Sequence, residues 1–191
     1  MSNKRLQYIK QKYRENNIPI MNFNLFGIRD ESGMSKDLIN DKLGFFTVDE
    51  LFICQGTTDP SVYWTTSSEH NKGGTFHLLD GYHKDIWTFG THKGYKAIVN
   101  DYKKCQPTKG WRDENYNFTR DEKDPIVCDY FGINFHRMNS KSIVKKIGKY
   151  SSGCQVVQRP NDFNYIMQRA QDSEQEIFSY MLFKLSEMEI V

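Results

Sequence analysis

Short apolar runs alternate with polar punctuation along most of the chain, and helical spacing appears only near the two ends. Across residues 2–16, Leu6, Ile9 and Tyr13 recur at helical intervals among Lys, Gln, Arg and Glu. Residues 1–18 are therefore read as a short amphipathic N-terminal helix, which Pro19 ends. Strand-like runs follow at 20–28, 51–55, 63–66, 75–79, 86–89 and 96–100, separated by Gly, Asn, Asp and Pro. Further on, Phe131, Ile133 and Phe135 alternate with Gly132, Asn134 and His136. A strand here turns the apolar three inward and sends Asn134 and His136 to the opposite face. Residues 155–158 form another short strand. Phe163, Ile166 and Met167 then predict a helix over about 162–170, capped by Asn161. Residues 178–183 fit either a helical extension or a final strand, and the alternation of Tyr180 with Leu182 favours the strand. The pattern predicts a mainly β protein, sandwich- or barrel-like, with a short N-terminal helix and a helix after the strand that follows Cys154.

Residues 101–124 interrupt this pattern. Pro107, Gly110 and dense charge around Trp111 and Tyr116 read as a long loop between strands, overhanging a site. The 191 residues suit a single domain with a proper core. Lys and Arg total 26 against 24 Asp and Glu, and a net charge of +2 is too small for a protein that grips phosphates, so nucleic acid is not an expected partner. Mean hydropathy is -0.71 and no run is long and apolar enough for a membrane span or a secretory leader. Cys54, Cys105, Cys128 and Cys154 are widely spread, with no C-x-x-C pair, so neither a metal site nor any cofactor is expected and free thiols are the default.

The stretch with chemical content is Gly132-Ile133-Asn134-Phe135-His136-Arg137, followed by Ser151-Ser152-Gly153-Cys154-Gln155-Val156. A thiol attacks as thiolate and needs an imidazole to take its proton, so Cys154 as nucleophile and His136 as base form a coherent pair on adjacent strands. Gly153 lets backbone approach a substrate, and the amides flanking Cys154 can line an oxyanion hole. Asn134, on the face of His136, either orients that imidazole or makes a strand-edge hydrogen bond. Taken alone, the pattern also describes a buried thiol and a core histidine.

At these positions the chain resembles the L,D-transpeptidase catalytic-domain family, whose signature is a histidine followed by S-H-G-C. It looks most like a divergent branch seen in bacteria and their phages. The resemblance is carried by Thr57-Thr58-Asp59-Pro60-Ser61-Val62-Tyr63-Trp64, Gly90-Thr91-His92 with Ala97-Ile98-Val99, Phe131 to Arg137, and Tyr150 to Val156. Two positions depart from it. Ser152 replaces the histidine two places before the cysteine, and Val156 replaces an arginine two places after it. The resemblance implies acyl transfer on bacterial cell-wall stem peptides. Cys154 attacks a carbonyl beside a diamino acid, and the acyl group passes to an amine, as in a transpeptidase, or to water, as in a carboxypeptidase. With Cys154, His136, Gly153, Ser152 and Asn134 as the catalytic set, the expected substrate contacts are Arg137, Ser151, Gln155, His92 and Tyr63, with Arg137 taking the substrate carboxylate. A cytoplasmic origin and action at the wall or periplasm, or within a virion, are expected, with other phage or lysis proteins as partners. Two other readings stay open: a wall-binding protein with little turnover, and a peptidase cutting internal stem bonds. His70, His77 and His83 are expected at the surface, and Asp59 before Pro60 in a turn.

Overall fold

The computed structural model describes residues 2–67 and 73–189, with side chains from residue 4; His70 lies outside the described residues. Eight strands close into a barrel: β1 (Asn24–Arg29), β2 (Asp41–Phe46), β3 (Leu51–Thr57), β5 (Gly81–His92), β6 (Tyr95–Val99), β9 (Phe135–Arg137), β10 (Gln155–Val157) and β11 (Ile177–Lys184). Around the wall their order is β1-β11-β5-β6-β9-β10-β3-β2, and β2 pairs back onto β1. The pairs β1/β11 and β9/β10 are parallel and the others antiparallel. Beside the barrel, β4 (Thr75–Leu78), β7 (Thr108–Asp113) and β8 (Ile126–Asp129) form a three-stranded antiparallel sheet.

Helix α1 (Ser2–Glu15) buries the predicted stripe of Leu6, Ile9 and Tyr13 against one side of the barrel. This explains why β1 is buried along its whole length. Leu25 joins the main core with Leu43, Phe45, Tyr180 and Leu182, whereas Phe26 and Ile28 turn outward under α1 with Phe46, Met181 and Phe183. Alternation thus persists, but both faces are apolar because both are covered. Helix α3 (Pro160–Asp172) buries Phe163, Ile166, Met167 and Ala170. It starts earlier than expected: Pro160 occupies the first turn, where its missing N–H costs nothing, and Arg159 stands at the cap in place of Asn161.

Three expectations need correction. Residues 101–124 are not one long loop, because β7 lies within them, paired on both sides by β4 and β8. Residues 63–66 are not a strand but belong to the one-turn helix α2 (Val62–Thr65), nucleated by Ser61, whose Oγ accepts from the Trp64 amide at 3.3 Å. His77 and His83 are not at the surface: they are 1% and 7% exposed, His77 stacked on Trp111 and His83 bonded to the Leu79 carbonyl at 2.7 Å.

Candidate active site

The parallel pairing of β9 and β10 sets Phe135 beside Gln155 and His136 beside Val156. Phe135 and Val157 enter the main core, while Val156 and Cys154 belong to a separate cluster with Ile39, Met138 and Ile147. Asn134, His136, Cys154 and Val156 therefore share the outer face of the barrel wall. Cys154 lies level with Asn134, whose amide donates to Sγ at 3.4 Å, and Sγ donates in turn to the Gly132 carbonyl at 3.7 Å.

The turn that carries the thiol is fixed on several sides. Gly153 has φ +127, and a Cβ there would meet the Phe76 carbonyl oxygen at 2.6 Å, so glycine is needed for both conformation and space. Ser151 Oγ donates to the Cys154 carbonyl at 2.8 Å and accepts from the Gly153 amide at 3.2 Å. The Gln155 amide nitrogen donates to the carbonyls of Thr58 and Gly153, and its oxygen accepts from Tyr180 at 2.8 Å. Ser151 and Gln155, expected from the sequence as substrate contacts, are wholly buried and brace the turn. Ser152 is exposed on the same turn. The amides on either side of Cys154 are taken, Gly153 by Ser151 and Gln155 by the Asn134 carbonyl, which leaves the Cys154 amide without a hydrogen-bond acceptor among the described residues.

Thr58 links this turn to a buried charge cluster. Its carbonyl also accepts from Arg29, and Arg29 pairs with Asp59 at 2.9 Å and Asp80 at 2.8 Å. Asp59 is thus more than a turn residue: it is 3% exposed, an ion-pair partner of Arg29, with His77 Nδ1 at 3.6 Å.

His136 is 3% exposed. Its Nδ1 lies 2.9 Å from the Arg137 carbonyl, an acceptor only, so Nδ1 carries the proton and Nε2 keeps the lone pair of a base. Tyr95 donates to the same carbonyl at 3.2 Å. The ring of His92 stacks on that of His136, 4.0 Å between centroids and 13° from parallel. Asn134 does not reach His136. Its Oδ1 accepts from the Asn100 amide at 2.9 Å, which directs Nδ2 at His92 Nδ1, 3.2 Å away. Asn134 thus orients His92, and only through the stack does it act on His136.

Burial, followed by neighbouring His92, pushes the His136 imidazole down to about 3. Burial raises the Cys154 thiol, although the Asn134 amide and Lys93 work in the other direction. The resting pair is therefore neutral thiol and neutral imidazole, not the thiolate and imidazolium that the sequence suggests. Arg137 lies over the Tyr95 ring at 4.2 Å and has no carboxylate partner among the described residues. Tyr63 is 39% exposed on α2, with Lys149 Nζ 4.7 Å above its ring. The sequence reading missed Tyr95 and Lys93. Their signal was the Lys93-Gly94 pair, both at positive φ, which makes a two-residue hairpin turn that sets Tyr95 opposite His92.

Fold and site together define a closed β-barrel with a cysteine and two histidines clustered on its outer wall. No family model, curated protein or solved structure matches the chain.

Proposed function

We propose that this protein is a cysteine-dependent acyl-transfer enzyme of the L,D-transpeptidase or L,D-carboxypeptidase type, acting on stem peptides of the bacterial cell wall. The observation that carries the reading is that Cys154 and His136, whose Nδ1 is tied down so that Nε2 is left as base, share the outer face of the barrel wall, with Arg137, which has no carboxylate partner among the described residues, next to His136 in the chain. Lys93 is the charged neighbour acting on Cys154, His136 and His92 alike, and a nearby cation favours an anionic peptide.

In the reaction, the Cys154 proton passes to His136 Nε2 as Sγ bonds to the substrate carbonyl carbon. The carbonyl oxygen gains charge beside the Cys154 amide. Collapse breaks the C–N bond, and the proton held by His136 leaves with the amine of the departing D-amino acid. The resulting thioester is resolved by an amine, giving a crosslink, or by water, giving a trimmed peptide. Because thiol and imidazole are both neutral at rest, proton transfer accompanies attack. Sγ is hydrogen-bonded to the Asn134 amide and the Gly132 carbonyl and His136 to the Arg137 carbonyl, so the proposal requires substrate binding to bring thiol and imidazole into contact. Synthesis in the cytoplasm, with access to the wall at lysis or from a virion alongside other phage proteins, belongs to the same proposal.

The neutral resting pair and the 7% exposure of Cys154 favour a second reading, a wall-binding protein with little turnover. Mass spectrometry of purified wall fragments incubated with wild type and Cys154→Ala separates them. Release of a terminal D-amino acid by the wild type alone supports the enzyme. Binding without products supports the second reading, and internal cleavage assigns a different peptidase class.

A further inference from the structure

We propose that Lys93, at the tip of the β5/β6 hairpin, is the anion-selecting residue of the Cys154 site, favouring peptides that present a carboxylate beside the scissile carbonyl. The inference deepens the acyl-transfer reading and rests on Cys154 being the reactive centre.

The two residues that flank the hairpin turn both reach the base. His92, on one side, stacks its ring on that of His136, and Tyr95, on the other, holds its hydroxyl 3.4 Å from His136 Nδ1. Asn134 ties the same hairpin to the thiol: its side chain meets His92 Nδ1 at 3.2 Å, and its amide donates to Sγ at 3.4 Å. The turn Lys93-Gly94 is thereby fixed at the edge of the cluster of thiol and imidazoles. Burial dominates the titration of Cys154, His136 and His92, and the lysine adds a downward push on all three, the mark of a cation close to each.

Backbone conformation points the same way. Lys93 has φ +46 and Gly94 φ +85, the signs of a type I′ hairpin turn, whose first position suits Asn or Gly. A lysine there is held in a conformation that long side chains rarely adopt. No ion pair offsets that strain: among the described residues such pairs engage Lys12 and Lys184 but not Lys93, whose side chain is exposed. A strained residue with an unpaired cation beside a reactive group is placed for its charge. Its ammonium offers three donors on a flexible stem, which suits a carboxylate whose position differs from one peptide to the next.

Alkylation of Cys154 by iodoacetate and by iodoacetamide near pH 9, followed by peptide mass spectrometry, reads this charge without any wall substrate. One reagent is anionic and the other neutral, so a change in thiol ionisation cancels in the ratio of their rates. Lys93→Asn removes the charge and puts Asn-Gly in the turn, the pair such a turn favours, so the fold and Tm should hold. The iodoacetate rate is expected to fall about three-fold relative to the iodoacetamide rate, the size of a Coulomb interaction across a partly screened site. Lys93→Glu should lower the ratio further and Lys93→Arg should keep it, while exposed Cys128 serves as an internal control whose ratio stays constant. A ratio unchanged in Lys93→Asn and Lys93→Glu overturns the proposal and leaves the acyl-transfer reading in place. A fall as large at Cys128 as at Cys154 overturns it too, because the effect is then one of net charge. Failure of Cys154 to react with either reagent ends both. A Lys93-dependent ratio in a protein that turns over no wall peptide upholds the anion site and removes only the proposed function.

Discussion

The imidazoles of His92 and His136 lie face to face, 4.0 Å between centroids and 13° from parallel, and the first is aimed by Asn134. Two stacked rings hold each other's orientation and resist being protonated together. His92→Ala should let the His136 ring rotate, admit water and raise its pKa, with turnover falling roughly ten-fold, the scale of a mispositioned base. His92→Phe keeps the stack and should retain most of the activity. Nitrogen-15 NMR of the imidazoles reads this directly: one Nδ1-protonated form in wild type, a tautomer mixture in His92→Ala. Equal losses in both variants would mean that His92 touches substrate instead.

Reactivity of the thiol follows from its burial. In the free protein, alkylation of Cys154 by iodoacetamide should be slow at neutrality and still be rising as pH passes 9, because burial holds the thiol above its ordinary value. Adding a non-hydrolysable stem peptide should accelerate it at neutral pH. A rate that is already flat below pH 7 in the free protein would reveal a preformed thiolate.

Stability carries its own pH signature. His136 titrates near 6.5 when unfolded and at about 3 when folded, so between those values the unfolded chain binds the extra proton and acid favours unfolding. The contribution is fully present above pH 6.5 and lost on falling toward pH 3, a span on the order of a few kcal/mol. Asp41, raised to about 7 by burial and by Asp59, works in the opposite sense as pH climbs to 7. It does so equally in wild type and in His136→Gln, so the difference between the two isolates the histidine. Urea titrations at pH 7 and pH 4 check this; a stability gap that does not change with pH refutes it.

Gln155 and Gly153 separate bracing from binding. Gln155→Leu leaves the Tyr180 hydroxyl without its partner in the barrel interior, while the Thr58 carbonyl keeps Arg29, and should cost about 1–3 kcal/mol of stability while leaving KM close to wild type. Gly153→Ala forces a Cβ onto the Phe76 carbonyl at φ +127, so a loss of about 2 kcal/mol or more should accompany a collapse of kcat. Thermal melts set beside steady-state kinetics test both, and a Gln155→Leu protein of unchanged Tm but raised KM would return that residue to the substrate.

The elements that were legible in the sequence are those whose pattern is local. The stripe of α1, the stripe of α3, and the strands β3 and β10 follow from spacing alone, whereas residues 178–183 fitted helix or strand until their pairing with β1 and β5 settled them as β11. Strand β7 was hidden because Thr-Lys-Gly-Trp-Arg-Asp carries little apolar alternation and owes its form to partners β4 and β8. The stretch from Phe131 looked like one strand, yet Gly132 at φ +68 bends the chain and pairing begins only at Phe135. Within the site, the shared face of Asn134 and His136 could be read from a period of two. The attachment of Asn134 to His92 could not, because it depends on the β5/β6 hairpin returning beside β9.

The last strand of the barrel has a consequence for synthesis. β11 runs parallel to β1 and antiparallel to β5, so the wall stays open between Asn24 and His92 until residues 177–184 have left the ribosome. Only then does Tyr180 reach Gln155 and lock the cysteine turn. A nascent chain arrested before residue 177 has its thiol and both histidines already made, but no assembled site in which to use them.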